Sequence, residues 1–162
     1  SARAIPYDPE LVIRMFQFVG RHGFKLALES ERRIAEFLPV IEKHFAKQGP
    51  HWGTILETLQ LPHASQALAA MHETGVLGCV FPEWKRIECL VTRDFYHRYT
   101  VDEHTLQAIR ALETLAASAN PAHKRFADLL SEFFVKSVCT VSALATLCQP
   151  PVFQSSDVPI LH

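Results

Sequence analysis

The side chains able to do acid–base or metal chemistry are spread along 162 residues as nine histidines and 17 acidic groups, and most of their spacings gather nothing. His22, His44, His51, His63, His72 and His123 form no ligand pattern, and solvated or packed positions account for them. Cys79, Cys89, Cys139 and Cys148 include no Cys-x-x-Cys pair to hold zinc or cycle as a disulfide, so they read as buried thiols. Neither a Gly-Ser pair nor an Asp-x-Asp occurs, which leaves out the phosphate-cradling turn and the paired carboxylates of two-metal nucleotidyl transfer. Reactive types concentrate in one stretch, Arg93 to His104. Arg93 and Arg98 flank aromatic residues and could face a phosphate, although arginines beside acidic residues are more often a solvated ion-pair surface. His97 has the same two readings, a phosphate or water contact against an ordinary hydrogen-bonded histidine. Asp102 and Glu103 read as helix-start residues favoured by the dipole and by capping rather than as catalytic acids. Spacing by itself makes His104 a partly exposed first-turn histidine.

These residues depend on a helix. Thr100-Val-Asp-Glu103 is a capping box, and Ala108, Ile109, Leu112, Leu115 and Ala116 supply an apolar face, with His104 near its edge one turn before Ala108. Upstream, Asp8-Pro9 is placed to start a helix carrying Leu11, Val12, Met15, Phe16 and Val19, stopped by Gly20 and Gly23. A second helix is expected from Ser30, with Ile34, Phe37, Leu38, Ile41 and Phe45 on one face and Pro39 as a potential kink. Shorter helices follow at Trp52 to Leu61 and from Ala64 to Gly75. Val76 to Phe81 is β-branched enough to pass as a strand, but its helical neighbours make it a buried connector, and Pro82-Glu83 starts another turn. Beyond Asn120-Pro121 a further helix carries Phe126, Leu129 and Leu130. The fold class is therefore an all-α, multi-helix bundle.

Composition agrees with a folded chain: 48% of residues are apolar and 20% charged. A formal net charge of −1 without a Lys/Arg block argues against nucleic acid or anionic lipid as a partner. No window reaches the ~18 apolar residues that span a bilayer, and the first residues lack a signal-peptide core, so a cytoplasmic location is expected. From Phe133 the character changes. Lys136 and Asp157 are the only charges of the last thirty residues, which also hold three of the ten prolines and two of the four cysteines.

The strings Met71-His-Glu-Thr-Gly-Val-Leu-Gly-Cys-Val-Phe-Pro-Glu83 and Asp94-Phe-Tyr-His-Arg-Tyr-Thr-Val-Asp-Glu-His-Thr-Leu106 resemble the start of the HD domain in bacterial protein-PII uridylyltransferase/uridylyl-removing enzymes. Upstream, the segments from Asp8 through Phe16 and from Ser30 through Phe45 are similar to that family's helical connector. The resemblance covers roughly residues 5 to 132. It implies a connector between nucleotidyltransferase and HD domains over 1–75, the N-terminal part of an HD-type domain over 76–132, and a divergent tail over 133–162.

It further implies that the parent enzymes attach UMP to a tyrosine of the PII signalling protein and remove it again, in control of nitrogen assimilation. His104 matches the first metal ligand of an HD site, which holds Mg or Mn with a later His-Asp pair and a final Asp. No His-Asp dipeptide exists in this sequence. The expectation is a fragment without complete catalytic centres, inactive by itself and needing no cofactor, its tail arising from truncation or a frameshift. A fragment of another metal-dependent HD phosphohydrolase, or a helical module that docks on a partner or on itself through exposed apolar surface, is the alternative.

Overall fold

The computed structural model describes residues 4–47, 51–90, 100–121, 123–125 and 128–129. Within these residues every regular element is helical: α1 (Leu11–His22), α2 (Leu28–Ala46), α3 (Trp52–Leu59), α4 (Ala64–Glu73), α5 (Val76–Val80), a 3-10 turn at Pro82–Arg86, and α6 (Val101–Ala116). The all-α bundle expected from periodicity is what forms. No described helix is long and apolar enough to cross a membrane. The tail from 133, and Arg93, His97 and Arg98, lie outside the described residues.

Boundaries differ from expectation where local polar groups found other partners. Asp8 does not cap α1: its carboxylate pairs with Arg14, and Asp8-Pro9 instead forms a preceding turn whose carbonyls accept from Leu11 and Val12 N–H. The stop is Gly23, in a left-handed conformation at φ 67° with its N–H on Val19 O, whereas Gly20 stays inside the helix. Gly20 is there for space, since a Cβ would lie 2.7 Å from Leu61 Cδ1. Helix α2 starts two residues before Ser30, with Glu29 and Glu31 facing its positive end, and runs through the exposed Pro39 without terminating.

Periodicity explains the core. Val12, Phe16, Ile34, Ile41, Met71 and Leu77 are among its fully or almost fully buried members, drawn from α1, α2, α4 and α5. The segment expected as a connector is buried as expected, but it is a helix: all five residues of α5 are buried, and the run packs chiefly on α2. Gly75 makes the corner between α4 and α5 at φ 76°, where Leu38 closes over it. Lys85, beyond α5, pairs with Glu42 of α2, and that hydrogen bond raises the lysine pKa.

Helix α4 is the hub. It packs against α1, α3, α5 and α6.

Candidate functional site

The capping box forms as the residue types require. Thr100 is extended, its backbone N–H donates to Glu103 Oε2 at 3.3 Å, and the Thr100 side chain serves the Glu103 backbone in return. This fixes the helix start, so the faces of the first turn are decided by rotation of about 100° per residue.

The rotation differs from the apolar pattern. Asp102 and Thr105 are the buried residues of α6, with Leu106, Ile109 and Glu113 half-buried, while Ala108, Leu112 and Ala116 are exposed. His104 is exposed rather than at the edge of the buried side, its backbone N–H bonded to Thr100 O at 2.8 Å. The reason is polar: the side of α6 that meets α4 is chosen by two acidic residues with partners there.

The first of these is Asp102, whose side chain is 3% exposed. Its Oδ2 lies 3.5 Å from His72 Nε2 and accepts the Cys89 backbone N–H at 3.2 Å. Trp84 Nε1–H donates to the other ring nitrogen, His72 Nδ1, at 3.1 Å. An indole N–H can only donate, so Nδ1 must be the bare nitrogen and the ring proton sits on Nε2, facing the carboxylate. Glu88 Oε1, 3.7 Å from Nδ1 and more exposed, is the weaker neighbour. Burial pushes the Asp102 carboxyl pKa up, but donors from Thr100, Cys89 and Glu103, with the His72 ring, outweigh it and hold the pKa below the ordinary value.

The second is Glu113. Its two oxygens accept from Ser65, Oε1 from the backbone N–H at 3.1 Å and Oε2 from the hydroxyl in a short contact. Ser65 lies in the first turn of α4, whose N-cap residue His63 offers no side-chain cap, so α6 supplies the carboxylate that the helix end wants. The two pairs join opposite ends of α4 to opposite ends of α6, which makes the helices antiparallel.

A divalent ion of the kind an HD site holds needs several imidazole and carboxylate donors. Among the described residues no group of three or more His, Cys, Asp or Glu side chains is arranged to take one. His104 is one such donor, on an exposed turn. Sequence spacing makes His72 a solvated or packed position and Asp102 a helix-start residue, because partners 12 to 30 positions apart leave no local signal.

The chain is similar over 112 residues to the bifunctional uridylyltransferase/uridylyl-removing enzyme of Cereibacter sphaeroides, at 37% identity. That match covers 68% of this chain and 12% of the relative. The enzyme of the same name from Caulobacter vibrioides is 31% identical over 111 residues, with the same coverage of both chains. The chain thus spans about an eighth of the length of these relatives. No family model matches it, and no solved structure does.

Proposed function

The chain is related by sequence to one stretch of the bifunctional uridylyltransferase/uridylyl-removing enzymes, and from that premise we propose that it is a connecting and ligand-presenting segment of such an enzyme. Residues 1–75 are the helical connector and 76–132 the first part of an HD-type hydrolase domain. In the parent enzyme the segment couples uridylylation of the PII signalling protein to its reversal, and His104 contributes the first ligand of a Mg or Mn site. The ion, when held by a full donor set, lowers the pKa of bound water for hydrolysis. This chain's own contribution is to cap α6 with Thr100 and Glu103 and to turn His104 outward from it. By itself it lacks complete catalytic centres.

The observation that carries the reading is the opposition of Asp102 and His104 on one turn: the first is buried against α4, the second exposed where further ligands could approach. Transplanting residues 5–132 into the Cereibacter enzyme tests it. The transplant should retain removal of UMP from uridylylated PII protein and lose it in His104→Ala. Removal that survives His104→Ala contradicts the assignment. The isolated chain with Mn should release no UMP, and release that disappears in His104→Ala would show a complete site instead.

A second reading has one observation in its favour. Phe18 and Phe24 are 51% and 60% exposed and form a surface cluster with His22, its ring centroids 4.4 to 6.0 Å apart. Such a patch suits self-association. Sedimentation of the chain should then show mass rising with concentration, reduced by Phe18→Ser with Phe24→Ser; a monomer at all concentrations excludes it.

A further inference from the structure

We propose that His72 is a positioning residue: held as the Nε2–H tautomer by Trp84, it sets through Asp102 the rotation of α6 on α4 and thereby the direction in which His104 is presented. The inference rests on the reading of His104 as a ligand. It adds a residue of α4, remote in sequence from His104, to the machinery that would aim it.

Rotation is what needs explaining. The apolar contacts of α6 with the core, through Val101, Leu106 and Ile109, are nondirectional and tolerate a helix turned by tens of degrees. Ala108 faces solvent and Leu112 is 36% exposed, while Val101, Leu106 and Ile109 pack on the core, so apolar burial alone sets the rotation only loosely. A buried carboxylate is directional, because turning α6 would withdraw Asp102 Oδ2 from both the Cys89 N–H and the His72 ring. His104 follows Asp102 by two positions, about 200° around the helix, so seating one against α4 sends the other to the far side.

Why His72 and not Asp102 alone follows from the tautomer. Were Nδ1 protonated and Nε2 bare, the ring would present a lone pair to the carboxylate and repel it. Trp84, 3% exposed and packed with its indole at 72° to the imidazole, removes that alternative by filling Nδ1 with its own N–H. The Ser65–Glu113 pair, about 16 Å along α6 from Asp102, stops the helix from sliding, and the backbone of the first turn is tethered by the Val101 N–H on Leu90 O at 3.0 Å and by the Cys89 N–H on Asp102. His72 adds the side chain of α4 that faces Asp102 in that turn and orients it toward α4.

Hydrogen exchange of the whole chain, without metal, tests this. His72→Ala should speed exchange of the Glu103 and His104 amides by about tenfold and shift the His104 ring signals, with amides of α1 and α2 unchanged. His72→Gln, whose side-chain amide can still donate to Asp102, should restore most of both. Nitrogen spectra of the His72 ring should show the Nε2–H tautomer, giving way to a mixture in Trp84→Phe. Unchanged exchange in His72→Ala, or equal acceleration in α1, α2 and α6, would overturn the proposal, the latter making His72 a core filler. These readings need no ion, so they fail or stand separately from the His104→Ala transplant.

Discussion

Glu113, near the end of α6, caps the first turn of α4 by accepting from both the N–H and the hydroxyl of Ser65. A helix N-terminus satisfied by a carboxylate from another helix ties local stability to tertiary packing. Glu113→Ala should therefore lower unfolding stability by about 1 to 3 kcal/mol, and Ser65→Ala, which keeps the backbone donor, by about 1 kcal/mol. Urea denaturation of both single variants and the double variant checks the coupling. Additive losses would mean the pair contributes nothing as a pair.

The two described cysteines should differ in reactivity. Cys79 is 5% exposed in α5 with its thiol directed at Gly75 O, and burial pushes its pKa from 9.0 up to about 11, partly opposed by nearby Lys85. Cys89 is exposed. Alkylation at pH 8 followed by peptide mapping should label Cys89 and spare Cys79.

The same shift gives an alkaline dependence. Folding keeps the Cys79 thiol protonated, so the unfolded chain ionises first, near 9.0, and stability falls as pH rises from there through about 11. The loss levels off at about 2 to 3 kcal/mol, at roughly 1.4 kcal/mol per unit. Other groups titrate in that window, so the measure is wild type minus Cys79→Ala. A difference that does not change between pH 8 and 11 refutes it.

What was legible in the sequence was whatever depended on short-range periodicity. The apolar spacing in α1 and α2, the Thr100–Glu103 box and the Pro82 turn all formed, because each is decided within one or two helical turns. Val76 to Val80 was ambiguous for the same reason: five apolar residues carry no period, and only Gly75 and the helices around them settle that they coil. The rotation of α6 is only partly legible, since Ile109 and Leu115 of the apolar pattern are half-buried while the most buried residue is a carboxylate whose partners are His72 of α4 and the Cys89 N–H. Apolar contacts of Val101, Leu106 and Ile109 together with two polar pairs fix that helix. Nothing in the linear sequence announces which acid will be taken inside.

Gly75 is a position where a methyl group should be costly. Its φ of 76° is strained for any residue with a Cβ, and that Cβ would sit 2.9 Å from Leu38 Cδ2. Gly75→Ala should cost about 1 to 3 kcal/mol. Adding Leu38→Ala should relieve the crowding but not the backbone strain, so the double variant stays below Leu38→Ala in melting temperature. Equal melting temperatures would mean the corner tolerates a side chain.

Asp102 carries the sharpest stability prediction, since removing a buried acceptor strands its donors. Asp102→Ala leaves the Cys89 N–H and the His72 Nε2–H without their carboxylate, and the expected loss is about 2 to 4 kcal/mol. Asp102→Asn keeps one carbonyl oxygen, enough for one of the two donors, and should lose about half as much. The strain also has a backbone component: Cys89 sits at φ 57°, the one described non-glycine residue in the left-handed region, and its N–H bond to Asp102 helps hold it there. Cys89→Gly should therefore recover part of the stability lost in Asp102→Ala, because glycine adopts that conformation without needing the bond. Thermal unfolding of the three variants and their combination decides it, and a Cys89→Gly that gives Asp102→Ala no recovery would separate the turn from the carboxylate.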